Sequence, residues 1–257
     1  MKAAVYQGSQ QLIIEDIPIP EPGPGEILVK VGYSAICGTD VHAFLYDIAP
    51  PGAVMGHEFS GTVVAIGSGV NRWKIGDRLV GGGGNPPPGM EAPLRRQQQY
   101  NYRLEGFADD RKRGYAEYTI LTEWAPSPIP ENVTDLQATL VEPCAVVVRA
   151  VRLSRMMLGD TVAVLGAGPI GLLCMQAAQA AGARKVIVSE PSEARRNVAL
   201  SLGADAVVDP TKEDPVEAII SLTDDSGPHV VYELSLIHIS EPTRPRLSSY
   251  AVFCLKK

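Results

Sequence analysis

The sequence lacks the features that mark secreted and membrane-embedded proteins. Its four cysteines, Cys37, Cys144, Cys174 and Cys254, are widely spaced and form no C-x-x-C pair, so a disulfide framework is not indicated. The amino terminus has no apolar stretch of the kind found in secretory signals. The most apolar run, 162–175, is interrupted by glycines and a proline and is too short for a membrane span. We therefore expect a cytoplasmic protein with reduced thiols.

Positive charge is also scarce. The net charge is -6 and the isoelectric point is about 5.3. Nucleic acids and anionic membranes attract surfaces where Lys and Arg are concentrated, so neither is expected as a partner. With 45% hydrophobic and 20% charged residues, the 257-residue chain has the composition of a folded protein. Its length suits one large domain or two ordinary ones.

The first third of the chain is predicted to be β structure. Short β-prone runs, separated by glycine and proline turns, occur at 3–6, 12–14, 27–31, 59–66 and 76–80. Several short strands at close spacing favour a small barrel or sandwich. The segment 81–113 differs, because a Gly/Pro-rich start leads into residues rich in Gln, Arg and Asp. It is predicted to be either a functional loop or a disordered segment. Strand character returns at 115–121.

Potential metal ligands are concentrated between Cys37 and Glu58. The thiol of Cys37, the imidazole of His57 and the carboxylate of Glu58 form a ligand set suited to zinc. Thr39 places a hydroxyl beside the thiol, where it can pass a proton. Asp40 is a candidate to orient His57, because ligating imidazoles usually donate their second N–H to a carboxylate. A buried Cys and an unrelated core His remain the alternative interpretation.

Glu142 lies in an apolar segment that follows the change to helical periodicity at Asp135. A buried carboxylate without a partner is energetically costly. Glu142 is therefore predicted to be paired, metal-bound or protonated, unless it lies at a solvated domain edge.

A dinucleotide-binding turn begins the second half of the chain. The strand predicted at 161–165 leads into Gly166-Ala167-Gly168-Pro169-Ile170-Gly171 and then a helix, which is the context that G-x-G-x-x-G requires. Glu190 ends the next strand, 185–189, where a carboxylate accepts hydrogen bonds from ribose hydroxyls and repels a 2′-phosphate. The pattern predicts NAD rather than NADP. Helices at 192–203 and 215–222 then alternate with strands at 206–209 and 229–233.

Three motifs together resemble the medium-chain, zinc-dependent alcohol and polyol dehydrogenases, including the sorbitol and threonine types. They are 37–42 (CGTDVH), 56–58 (GHE) and 166–171 (GAGPIG). The resemblance implies an α/β protein with a GroES-like β-barrel catalytic domain, 1–150, and a partial Rossmann doubly wound parallel-sheet domain, 151–233. It also implies one catalytic zinc, NAD, a small alcohol substrate and a homo-oligomer when the protein is full length.

Site residues follow from the same resemblance. It implies that Cys37 and His57 bind zinc and that Glu142 takes the place of the third protein ligand. Glu58 corresponds to a variable fourth group, which either binds the metal or supports its ligands.

The resemblance also assigns residues to proton transfer and to the nucleotide. Thr39 would relay the substrate proton toward the ribose and then His42. Arg195 matches a basic residue near the adenosine ribose, beside Glu190. A glutamate ligand makes a harder metal site than a cysteine, which leads us to expect a polyol or hydroxy-amino-acid substrate. The rival interpretations are a non-catalytic zinc- or nucleotide-binding relative and a zinc-free quinone reductase.

The sequence departs from the family in two places. The segment 81–113 lacks the four cysteines that form a structural zinc site in many members, so at most one zinc per chain is expected. Beyond Glu233, the residues 234–257 resemble translated adapter DNA from sequencing-library preparation. We expect this tail to be non-native, with no catalytic role for His238 or Cys254. The chain is then a C-terminally truncated form of its parent, and an inactive fragment is one alternative for its function.

Overall fold

A computed structural model describes residues 1–81 and 113–235 and the backbone of one further strand, Phe253–Lys256. The chain divides into two compact units, Met1–Glu142 and Pro143–Lys257. The expectations for the loop 81–113 and for most of the tail 234–257, including His238, fall outside the described residues. No helix among the described residues is long and apolar enough to cross a membrane.

The first unit is built from short antiparallel strands. They are β1 (Lys2–Gly8), β2 (Gln11–Asp16), β3 (Glu26–Ala35), β4 (Glu58–Ile66), β5 (Arg78–Gly81), β6 (Tyr118–Thr122) and β7 (Ser127–Pro128). β1 and β2 form a hairpin, and the other five form one sheet in the order β6-β3-β4-β5-β7. Alternate residues of β3 and β4 point into a core that contains Ile27, Val29 and Val63. The predicted strands are confirmed; β7, with only two residues, was not predicted.

Three helices begin in the first unit: α1 (Gly38–Leu45), α2 (Asp135–Ala138) and α3 (Val141–Leu153). The two later helices confirm the periodicity seen from Asp135. The helix α1, which begins with a glycine, was not predicted from the sequence. Its start is fixed by a capping box, because Cys37 accepts a hydrogen bond from the helix and Asp40 accepts one from the backbone of Cys37.

The second unit is a parallel sheet with alternating helices, as predicted. Its parallel strands are β8 (Thr161–Leu165), β9 (Lys185–Ser189), β10 (Ala206–Val208) and β11 (Val230–Glu233), in the order β10-β9-β8-β11. The intervening helices are α4 (Pro169–Ala180), α5 (Glu193–Ser201) and α6 (Pro215–Ser221). The backbone of β12 (Phe253–Lys256) pairs antiparallel with β11.

The core of the second unit fills the space between the sheet and α4. Val162, Val164 and Val186 pack against Cys174 and Met175, and all five side chains are buried. Cys174 is thus a core residue, as expected for an apolar helix face. The strand order places the carboxyl ends of β8 and β9 side by side, which is where a parallel sheet of this kind presents its ligand-binding turn.

Candidate metal and nucleotide sites

Cys37 is held at the amino end of α1. Its backbone is extended, with φ of -80° and ψ of 153°, and its sulfur accepts a hydrogen bond from the Thr39 N–H at 3.4 Å. The Cys37 N–H donates to the Asp40 carboxylate at 3.1 Å. The sulfur therefore lies at the amino end of a helix, with a backbone N–H directed at it, where it is available as a metal ligand.

His57 and Glu58 bring two more ligands to this thiol at the start of β4. One ligand atom from each of Cys37, His57 and Glu58 lies within 4.8 Å of the other two. A tetrahedral zinc with bonds of about 2.0 to 2.3 Å separates its ligand atoms by about 3.5 Å. The three groups therefore lie within reach of one ion, and sulfur, nitrogen and oxygen donors of these kinds all bind zinc.

The electrostatics of the cluster call for a positive charge at its centre. Burial lowers the pKa of His57, but hydrogen bonds to the Asp40 carboxylate and the Cys37 sulfur outweigh burial and raise that pKa to about 10. Burial raises the pKa of Glu58, while Cys37 and the charge of His57 oppose that rise. The carboxylates of Asp40 and Glu58 and the sulfur of Cys37 thus lie around the ring of His57. A bound Zn²⁺ would take the place of the ring proton as their counter-charge.

Glu142, in the first turn of α3, has one carboxylate oxygen that needs a partner. Its Oε2 atom is buried and has no hydrogen-bond partner among the residues described. Burial raises the pKa of Glu142, the charge of His57 lowers it, and Glu58 raises it further. Glu142 is therefore electrostatically coupled to the cluster, although it is not one of the three groups within 4.8 Å. An additional metal ligand would leave an unsatisfied oxygen of this kind.

Asp40 lies beneath His57 and is 2% exposed. Its Oδ1 atom lies 3.5 Å from His57 Nδ1 and accepts a hydrogen bond from the Gly56 N–H at 3.3 Å. Burial raises the pKa of Asp40, but hydrogen bonds from His57 and the Cys37 backbone lower it below its usual value. An ionised Asp40 is therefore placed where it can hold the ring of His57.

Tyr115 also contacts Asp40, and this contact was not predicted from the sequence. Its hydroxyl donates to Asp40 Oδ2 at 3.0 Å. The sequence between Asp40 and Tyr115 includes strands β4 and β5 and the segment 81–113. No local pattern reveals a contact between residues so far apart, and Tyr115 was considered only as the start of a strand.

Thr39 and His42 lie on α1 beside the thiol. The Cys37 sulfur lies 3.6 Å from Thr39 Oγ1. His42 is in the last turn of the helix, with its ring 5.7 Å from the ring of Tyr46. Residues three apart share one face of a helix, so the two predicted proton-relay residues are neighbours on α1.

The predicted nucleotide-binding turn joins β8 to α4. Gly168 is the N-cap of α4, with Pro169 at the first helical position and Ile170 following it. No side chain of the described residues caps this helix end, so its first N–H groups can face a ligand phosphate. A Cβ on Gly171 would lie 1.9 Å from the Gly166 carbonyl oxygen, so the turn requires glycine there.

Glu190 lies at the end of β9, next to that turn, and is 3% exposed. Its two carboxylate oxygens accept hydrogen bonds from the Ala167 N–H at 2.7 Å and the Ser192 N–H at 3.0 Å. The residue predicted to bind ribose therefore also fixes the backbone of the glycine-rich turn. This second role was not apparent from the sequence.

Two adjacent arginines on α5 differ in their surroundings. Arg195, predicted to lie near the ribose, is exposed. Arg196 is 8% exposed and donates to the carbonyl oxygens of Glu190 and Pro191, each at 2.7 Å, while pairing with Asp209 at 2.8 Å. Arg196 thus supports the segment that carries Glu190.

Comparisons with known proteins identify the family of both units. Residues 23–131 match the alcohol dehydrogenase GroES-like domain, and residues 169–240 match the zinc-binding dehydrogenase family. The L-threonine 3-dehydrogenase of Pyrococcus furiosus is 38% identical over 226 residues, which are 86% of this chain and 64% of that protein. The chain thus spans less than two thirds of the length of that relative.

Other relatives are matched over a larger share of their length. The (R,R)-butanediol dehydrogenase of Bacillus subtilis is 36% identical over 250 residues, 91% of this chain and 70% of that protein. The crystal structure of 2R,3R-butanediol dehydrogenase from Bacillus subtilis superposes with a TM-score of 0.79 at 35% identity, over 93% of this chain and 72% of that one.

A zinc-binding dehydrogenase of Sinorhizobium meliloti, solved with NADP bound, gives a TM-score of 0.81 at 34% identity, over 92% and 70% of the two chains. These likenesses confirm the predicted combination of a GroES-like and a Rossmann domain. The chain belongs to the medium-chain, zinc-dependent alcohol dehydrogenase family.

Proposed function

We propose that this chain derives from a zinc-dependent oxidoreductase that transfers hydride between an alcohol and NAD. The main support is that ligand atoms of Cys37, His57 and Glu58 lie within 4.8 Å of one another. An oxygen of Glu142 that has no partner among the described residues is electrostatically coupled to them. The domain 1–150 would carry the metal and the domain 151–233 the nucleotide.

Zinc would be held by Cys37, His57 and Glu142, with Glu58 as a fourth ligand or a support for Cys37. Bound zinc supplies a Lewis acid for the substrate hydroxyl, and NAD accepts the hydride. Asp40 holds His57 in place through the 3.5 Å contact with Nδ1. With no cysteine in the segment 81–113, we expect one zinc per chain.

Thr39 and His42 would carry the proton that leaves the substrate hydroxyl. The Thr39 hydroxyl lies beside Cys37, close to where the substrate must bind. His42 lies one turn further along α1 and would pass the proton to solvent.

NAD would bind across the glycine-rich turn, with its pyrophosphate at the amino end of α4. Gly166, Gly168 and Gly171 permit the turn, and Pro169 and Ile170 begin the helix. The carboxylate of Glu190 favours NAD over NADP, because a 2′-phosphate there would meet a negative charge. The Sinorhizobium meliloti relative was solved with NADP, so direct comparison of NADH and NADPH binding is the required test.

The substrate class is proposed from the ligand set and the relatives. A carboxylate third ligand makes a harder site than a thiolate, and the relatives are named for threonine and butanediol. We expect a polyol or a hydroxy amino acid to be oxidised in preference to ethanol. Faster turnover of ethanol than of threonine and every polyol tested would refute this assignment.

The deciding experiment combines metal analysis, nucleotide binding and turnover. We expect about one zinc per wild-type chain, loss of zinc in Cys37→Ser, and retained zinc in the matched control Cys144→Ser. Zinc and NAD binding without oxidation of any alcohol would favour a second candidate, a binding-competent but inactive fragment. Two zinc ions per chain would contradict the proposed single site.

We further propose that residues 234–257 are translated adapter DNA rather than native sequence. The proposal is supported by the resemblance of the stretch from Leu234 to Arg244 to a transposon-end adapter. A genomic read across this locus is the test. Finding the same codons within an intact gene would refute the proposal.

The intact parent is expected to be a homo-oligomer, which size-exclusion chromatography with light scattering would establish.

A further inference from the structure

Tyr115 connects the two segments that carry the proposed zinc ligands. Its hydroxyl donates to Asp40 Oδ2 at 3.0 Å, next to the segment that begins with Cys37. Its backbone N–H donates to the carbonyl oxygen of Met55 at 2.9 Å, just before His57. The side chain and backbone of one residue therefore contact both segments.

The ring of Tyr115 lies against Gly56, the residue before His57. Gly56 has φ of +92°, and a Cβ built there would lie 2.5 Å from the nearest ring carbon of Tyr115. The Gly56 carbonyl oxygen also accepts a hydrogen bond from the Gly114 N–H at 2.8 Å. The backbone leading into His57 is thus packed closely beneath the tyrosine.

Asp40 links the tyrosine to the ligand. The Oδ2 atom of Asp40 accepts from Tyr115 and from the Cys37 N–H, while Oδ1 accepts from the Gly56 N–H and faces His57 Nδ1. Donors on both oxygens hold a carboxylate in one orientation. The hydroxyl of Tyr115, which also lies 3.3 Å from the carbonyl oxygen of Ala35, is thus the one side-chain hydroxyl among the donors described here that orient Asp40 toward His57.

We propose that Tyr115 is a positioning residue for the metal centre, which acts through Asp40 to orient His57. This inference rests on the proposed zinc function. The competing explanation is that the hydroxyl only stabilises the fold. The two differ in what they predict for zinc affinity of the folded protein, because a purely structural hydrogen bond affects unfolding but not the metal.

The first test measures zinc binding by competition with a chromophoric chelator, using the full chain well below its unfolding temperature. Tyr115→Phe keeps the ring and the backbone hydrogen bond to Met55 and removes only the hydroxyl. Loss of the group that directly orients a metal ligand typically weakens metal binding by about 10- to 100-fold. Tyr115 acts one contact further away, so Tyr115→Phe should weaken zinc binding by up to about tenfold. The matched control is Tyr33→Phe, because Tyr33 is 49% exposed on β3, and its zinc affinity should equal that of the wild type.

A double variant tests whether the effect passes through Asp40. In an Asp40→Asn background, adding Tyr115→Phe should cause no further loss of affinity. The visible absorption of the Co²⁺-substituted protein should change with Tyr115→Phe and not with Tyr33→Phe.

The outcomes separate this inference from the proposed function. If the wild type binds zinc and Tyr115→Phe binds it equally tightly, the positioning role is refuted while the zinc site stands. Additive losses from Asp40→Asn and Tyr115→Phe would also refute action through Asp40. A wild-type chain that binds no zinc would overturn the proposed function and this inference together.

Discussion

Alanine at Gly171 should impair folding, whereas alanine at Gly168 should impair nucleotide binding. At Gly171 a Cβ would lie 1.9 Å from the Gly166 carbonyl oxygen, far inside ordinary contact, so the backbone must move. Overpacking of this kind costs about 1 to 3 kcal/mol, and alanine recovers about 0.5 to 1 kcal/mol as the better helix former. We expect Gly171→Ala to destabilise the second unit by about 1 to 2 kcal/mol.

Gly168→Ala should leave folding nearly unchanged. Gly168 has φ of -70° and ψ of 179°, which alanine adopts freely, and no atom of the described residues lies within 4 Å of the place that an added Cβ would take. The added methyl would instead occupy the space that the NAD pyrophosphate needs. Loss of one backbone hydrogen bond to a charged phosphate costs about 1.5 to 3 kcal/mol. The expected loss of NADH affinity is therefore about 10- to 100-fold.

Both effects can be measured on the full chain. Far-UV circular dichroism follows the unfolding of both units in urea, whereas fluorescence follows the first unit alone, since Trp73 and Trp124 both belong to it. NADH affinity is read from the fluorescence of the bound nucleotide. If Gly168→Ala bound NADH as tightly as the wild type, or if Gly171→Ala unfolded at the wild-type urea concentration, this account of the turn would be wrong.

Three further predictions address the metal site and the support of the nucleotide turn. Glu142→Leu removes a buried oxygen that has no partner among the described residues, so it should stabilise the zinc-free chain by about 1 kcal/mol. The same change should weaken zinc binding at least about tenfold. Urea titration would measure the gain in stability and chelator competition the loss of zinc affinity. Zinc at about 100 times its Kd should raise the free energy of unfolding reported by tryptophan fluorescence by about 2.7 kcal/mol, which urea titrations with and without zinc would measure. Arg196→Met should lower the midpoint of the second unit's transition, because it removes the buried partner of Asp209, whereas Arg195→Met should stay within about 0.5 kcal/mol of the wild type in urea.

The sequence was most informative where structure is locally encoded. The β-α-β alternation from Thr161 to Glu233 was predicted because each strand and helix carries its own periodicity and each turn its own glycine or proline. The motifs at Cys37 and His57 indicated a candidate metal site because their residue types are chemically distinctive.

The parts that were missed depend on an unusual cap and on contacts between distant residues. The helix α1 was missed because a cysteine serves as its N-cap, a role usually taken by Ser, Thr, Asp or Asn. The contact of Tyr115 with Asp40, and that of Glu190 with the Ala167 N–H, exist only once the sheets have formed. Such contacts leave no periodic signal in a single sequence.

The hydrogen bond from Ala167 to Glu190 has a consequence for changing the cofactor of this protein. Substituting Glu190 with a small or basic residue is the obvious route to accepting a 2′-phosphate. The same substitution would remove the acceptor of the Ala167 N–H, which orders the backbone of the turn expected to bind the diphosphate. An engineered switch therefore needs a substitute acceptor for that amide, such as a neutral Gln at the same place, before selectivity and tight binding can be obtained together.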